Sequence, residues 1–188
     1  MSDPVEVLDF WLGEVGPEGW YLGSEEIDAR CGELFSEELA ALTEGGLEHW
    51  AEGTVGTLAY LILADQLSRN IHRGTAQAFA ADPLARAAAR RAVEADWDLG
   101  APSPERQFFY LPFEHSEDPE DQALAVKLFS ERMPEAEESL LHAKAHQEII
   151  RRFGRFPFRN KALGRENTAE EQAFMDAGAY GALVESLR

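Results

Sequence analysis

Three constellations of polar residues have types and spacings that could do chemistry. In DQLSRN, Asp65 and Arg69 continue the face of Leu58, Leu61 and Ile62 at helical i, i+3, i+4 spacing, with Asn70 beside them. In LPFEHSED, Glu114 and His115 stand next to each other just after Pro112. Towards the C-terminus, His146 shares a helical face with Ile149, Ile150 and Phe153, and Arg155, Arg159 and Asn160 follow within RRFGRFPFRNKALGR. A histidine changes charge near neutral pH and can take or give a proton. A carboxylate can orient it, and arginines offer planar paired donors to a carboxylate or phosphate. Arg-Asn occurs at 69–70 and again at 159–160, as in a pseudo-repeat or two walls of one pocket. The chemistry these residues suggest is proton transfer by His115 or His146, oriented by Asp65 or Glu114. Arg69, Asn70, Arg155, Arg159 and Asn160 would hold an anionic group.

Each constellation also has a structural explanation. Asp65 and Arg69 could be an i, i+4 ion pair fastening a helix end, with Asn70 as a left-handed C-cap before Gly74. A charge on a buried face must be paired, because an uncompensated one costs several kcal/mol, roughly 3–5 when one partner is removed. His115 could bond a carbonyl or Glu117 and only close its helix. The basic run Arg151–Arg165 contains Arg151, Arg152, Arg155, Arg159, Lys161 and Arg165 and no acid, in a chain of formal net charge -18. Its targets are therefore either the chain's own carboxylates or an anionic ligand. His142 and His146 have the i, i+4 spacing of a zinc pair, but no Glu follows His142 and no third ligand can be named, so no metal is expected. Glycine-rich phosphate loops, Gly-x-Ser-x-Gly and dinucleotide fingerprints do not occur, so no cofactor is expected.

The elements that must position these residues are helices, since helical periodicity dominates and strand alternation is almost absent. Asp3-Pro4, Ser24-Glu25-Glu26, Asp118-Pro119 and Thr168-x-x-Glu171 read as helix starts, the last as a capping box. Asp82-Pro83 begins a helix to about Trp97. Thr54–Ile71 is apolar nearly all round in its first half, as in a central buried helix. Ser103-Pro104-Glu105 predicts a helix through Phe113, broken near its end by Pro112. Pro134 predicts the start of the longest helix, ending near Phe153. The expectation is an all-α fold of nine or ten helices in a stack of antiparallel pairs, tetratricopeptide-repeat-like, forming a single domain over 1–188.

At 188 residues, 45% hydrophobic and 10% aromatic, the chain has a globular composition. Its acidity opposes binding to nucleic acid, which needs a basic face to release counterions. The longest apolar run, Leu58–Ala64, is far too short for a membrane span. The acidic N-terminus does not read as a signal peptide, and Cys31 is alone on an apolar helical face. A soluble cytoplasmic protein is expected.

At EVLDFWLG (6–13), DQLSRNIHRGTAQAFAADPLA (65–85), FFYLPFEHSED (108–118) and HQEIIRRFGRFPFRNKALGRENTAEEQAF (146–174), the chain resembles the bacterial domain-of-unknown-function family 924. The resemblance implies an all-helical fold similar to tetratricopeptide-repeat superhelices, with no established activity. It puts Asp65, Arg69, Asn70, Glu114, His115, His146, Arg155, Arg159 and Asn160 at motif positions, as the lining of one polar cleft. The chain has Leu67-Ser68 where the family favours Phe-Pro, His72 where it favours Tyr, and Phe158 where it favours His. If a histidine at that last place took part in chemistry, Phe158 could not, which weighs against an enzyme.

Three readings follow. A small-molecule site would gather these residues around an anionic ligand, with or without catalysis. A protein-interaction module would receive an acidic peptide in a helical groove. A structural network would match every charge inside the core.

Overall fold

The computed structural model describes residues 3–188, which are helical with no strand among them. They form two compact units, divided after Pro112.

The first unit contains α1 (Pro4–Leu8), α2 (Gly16–Gly19), α3 (Glu25–Thr43), α4 (Gly53–Leu61), α5 (Ser68–Ile71) and α6 (Asp82–Glu94). The expected caps form: Asp3 accepts from the Val5 N–H and Ser24 from the Ile27 N–H. Between α4 and α5 the chain stays helical but widens into a π-helical turn, Ile62–Leu67, and a similar turn, Asp9–Val15, follows α1. Such turns are uncommon and change which side chains share a face. Here every residue from Thr57 to Ser68 is buried, Asp65 and Gln66 included. That is the central helix its all-round apolar pattern predicts. It packs against α1, α3 and α6. Gly56 permits close approach to the 3-10 turn Glu48–Trp50, since a Cβ there would lie 2.2 Å from the Trp50 carbonyl oxygen.

α7 (Leu111–Glu114) crosses the division. The second unit continues with α8 (Pro119–Arg132), α9 (Glu137–Phe153), α10 (Ala169–Asp176) and α11 (Ala179–Leu187). α8 packs along α9, which also meets α11. Asp118 caps α8, and Thr168 with Glu171 completes the capping box of α10. Ile149, Ile150, Phe156 and Phe174 form a core that Phe153, Met175, Tyr180 and Leu183 cover. Gly154, left-handed at φ 68°, ends α9 and redirects the chain into Arg155.

Four expectations need correction. The segment after Ser103 is a 3-10 helix, Glu105–Phe109, and the break falls at Tyr110, so that Pro112 sits in the first turn of α7, where its missing N–H costs nothing. α9 starts at Glu137 rather than Pro134, because residues 134–135 form a turn. Its 17 residues make it shorter than the 19 of α3. Asn70 is not a left-handed cap: it lies within α5, and its side chain donates to Asp28 instead. The helix begun at Asp82-Pro83 stops at Glu94, and Trp97 belongs to a separate 3-10 turn.

Candidate functional site

Asp65, Arg69 and Asn70 belong to the first unit. The Arg69 guanidinium forms a fork on Asp82, with Nη1–Oδ1 2.7 Å and Nη2–Oδ2 3.2 Å, and reaches Asp65 Oδ1 at 3.3 Å. It also donates to the Ala78 carbonyl and lies 4.8 Å from the centre of the Phe79 ring. Burial opposes its charge, but attraction to Asp65 and Asp82 overcomes burial and raises its pKa. Asn70 Nδ2 and Arg73 Nη2 both donate to Asp28 Oδ1 at 2.8 Å. The i, i+4 pair foreseen between Asp65 and Arg69 is present. Asp82 is the stronger partner, and its role was not legible because it lies 13 residues from Arg69 on another helix.

Glu114, His115, His146, Arg155, Arg159 and Asn160 belong to the second unit. There the basic run meets carboxylates of its own unit. Arg155 forks onto Glu171 at 2.6 and 2.8 Å, and Arg165 forks onto Glu117 at 2.8 and 2.9 Å. Glu117 also accepts the Phe156 N–H at 2.8 Å. Glu171 accepts from the Thr168 N–H at 2.7 Å and from Asn160 at 3.3 Å, while Asn160 Oδ1 accepts from Arg165 at 2.8 Å. The hydrogen bonds from Arg155 hold the Glu171 carboxyl well below its ordinary range, at about 2, against the opposing effect of burial. Burial pushes Glu117 up, but the Arg165 and Phe156 hydrogen bonds outweigh it and the net shift is downward. The capping-box glutamate and the last arginine of the basic run are thus the hubs of this network. Sequence spacing showed the first as a cap and the second as a charge, but not whom they meet.

Glu114, His115 and His146 come together differently. α7 ends at Glu114, and Gln122 of α8 clamps that end, donating to the carbonyls of Glu114 and Ser116, each at 2.6 Å. α9 brings His146, whose Nδ1 lies 2.9 Å from Glu114 Oε1 and 3.0 Å from the His142 carbonyl. Both neighbours are oxygens, so Nδ1 carries a proton and donates it to them. Glu114 is 3% exposed, and its Oε2 is buried with no hydrogen bond from a described residue. The His115 ring centre is 5.9 Å from that of His146. Phe156 and Tyr180 pack on the His146 ring at 5.4 and 4.8 Å, and Arg159 lies over Phe156 at 4.5 Å. Phe158 stacks on Phe156 at 5.3 Å.

His142 does not join this cluster: its Nδ1 meets the Tyr180 hydroxyl, and Glu138 lies 3.4 Å from its Nε2. The zinc-like spacing of His142 and His146 is therefore not a paired site, whereas Glu114, His115 and His146 each offer a ligand atom within 4.8 Å of the others. Elsewhere in the unit, an open groove of about 410 Å³ is lined by Arg152, Phe153, Arg155, Thr168, Glu170 and Glu171. A larger one, of about 640 Å³, runs between Arg152, Phe153, Phe174 and Leu183.

An all-α scaffold with a buried carboxylate–histidine cluster defines a class of protein, not an activity. Residues 7–179 match the family model described as "Bacterial protein of unknown function (DUF924)", and the chain belongs to that family. The chain is similar to a solved structure, a protein of unknown function, ATU0120, from Agrobacterium tumefaciens. The two are 38% identical with a TM-score of 0.87, over 93% of this chain and 97% of that one. The comparison with curated proteins gives no match. No helix among the described residues is long and apolar enough to cross a membrane.

Proposed function

We propose that the chain binds a small anionic molecule beside His146 and transfers a proton to or from it, with Glu114 and His146 as the working pair. The observation that carries this reading is the Glu114 carboxylate: one oxygen meets His146 Nδ1, and the other is buried without a donor among the described residues. A buried unsatisfied acceptor costs about 1–3 kcal/mol, which a merely structural pair could avoid with an amide or an apolar residue. With Nδ1 protonated and held by oxygens, the neutral imidazole carries its lone pair on Nε2, the arrangement of an oriented general base. His115 stands alongside as a second proton carrier. Arg159, over the ring that also flanks His146, supplies positive charge for an anionic group. A reducing compartment such as the cytoplasm fits a chain whose one cysteine is buried.

For the arginines a second reading is favoured by their geometry. Arg69 and Arg155 each form a fork on a carboxylate, which supports a structural role for Asp65, Arg69, Asn70, Arg155 and Asn160. A thermal-shift screen of small carboxylates and phosphate esters tests the proposal. Ligand at a hundred times its Kd adds about 2.7 kcal/mol. The expected result is a hit lost in Glu114→Gln and His146→Gln, both still folded by circular dichroism. A hit that survives both variants would overturn the assignment, and so would a panel with no hit.

A further inference from the structure

We propose that Glu114, His115 and His146 together bind a divalent transition-metal ion, Zn²⁺ being the best match; this rests on reading the same cluster as the functional centre. Two imidazoles and one carboxylate are a ligand set that holds zinc with a further position left open for water or substrate. Imidazole favours zinc, copper, iron and nickel, whereas Mg²⁺ and Ca²⁺ take oxygen ligands, so the donor set selects against the latter two. The three ligand atoms lie within 4.8 Å of one another. Around a tetrahedral ion with bonds of about 2.1 Å, neighbouring ligand atoms stand roughly 3.4 Å apart. Side-chain movement on the order of 1 Å therefore closes the site, without rebuilding the backbone.

Two further observations point to a ligand here. Glu114 Oε2 is a buried acceptor that no described residue satisfies, in a residue only 3% exposed. A cation is the partner that such an oxygen lacks. The frame is also built in advance: Gln122 is fully buried and fixes the carbonyls flanking Glu114 and His115, while Phe156 and Tyr180 fix the His146 ring. Pre-set ligands supported by packed neighbours are what a binding site needs. In the metal-free pair Glu114 and His146 share a proton on Nδ1; with metal they share the ion. The imidazole then keeps one proton, on Nε2, so the neutral ring changes tautomer and no net proton is lost.

The full chain, stripped with a chelator, would be titrated by calorimetry with Zn²⁺ and separately with Mg²⁺. Co²⁺ titration would be followed by visible absorption. The expected result is one equivalent of Zn²⁺, no Mg²⁺ binding, and a Co²⁺ ligand-field band. His115→Ala, a change at a partly exposed residue that should fold, is expected to weaken Zn²⁺ by about 100-fold or more. His142→Ala is expected to leave binding unchanged. Zn²⁺ binding that is unaltered in His115→Ala, or absent from the parent, would overturn the site. The two proposals fail separately. Anion hits on metal-free protein without Zn²⁺ uptake remove the metal and keep the acid–base pair. Stoichiometric Zn²⁺ uptake without any anion hit does the reverse.

Discussion

Replacing Arg69 by Met separates a fastening role for this arginine from a ligand-holding one. The substitution keeps much of the side-chain volume and removes the guanidinium that joins Asp65 to Asp82. Two carboxylates on buried residues would then face each other's field without the cation between them. Removing one partner of a buried ion pair costs about 3–5 kcal/mol. The Arg69 side chain is 20% exposed, so water can enter and the lower end, about 3 kcal/mol, is expected. For a chain of this length each kcal/mol shifts Tm by roughly 2–4 °C, giving a fall of about 6–12 °C. Thermal denaturation followed by circular dichroism would measure it. The cost should shrink when Asp82→Asn is added, because the two residues share one interaction. An Arg69→Met protein as stable as the parent would refute the structural reading and return Arg69 to the list of ligand-binding residues.

Two further predictions concern the second unit and the lone thiol. Because the Glu171 carboxyl is lowered to about 2 from 4.5, its contribution to stability is complete above about pH 4.5 and is lost as pH falls towards 2. The stability gap between parent and Glu171→Gln should therefore be constant from pH 7 to pH 5 and narrow below it, as urea curves at each pH would show. Burial, with the nearby Asp28 charge, pushes the Cys31 thiol up to about 12. A disulfide reagent at pH 8 should leave it unmodified in the native chain and label it promptly once denaturant unfolds the first unit.

The helices were largely legible, because their signals are local. Asp3, Ser24, Asp118 and Thr168 cap where their residue types say they should. The apolar run Leu58–Ala64 is buried as its pattern demands. The misplaced boundaries arose where two local rules compete: Pro112 can break a helix or begin one, and the chain chose the second. Nothing in residue spacing announces the π turns at Asp9–Val15 and Ile62–Leu67.

The candidate site was legible as a set of residue types, not as partnerships. His115 and His146 stood out as proton carriers and Glu114 as a carboxylate to orient one, but 32 positions separate Glu114 from His146 and only packing of the second unit joins them. Conversely, the density of Arg151–Arg165 pointed to an anion, and the anions that the structure supplies include Glu117, Glu148 and Glu171. Charge pattern reveals that partners are needed; it does not say whether they come from the same chain.

The working pair of Glu114 and His146 requires the proton on His146 Nδ1. Long-range proton–nitrogen NMR on the metal-free protein, at a pH where the imidazole is neutral, reads that tautomer directly. His146 is expected in the Nδ1–H form, reverting towards the usual mixture in Glu114→Gln. An Nε2–H His146 in the parent, indifferent to Glu114→Gln, would contradict it.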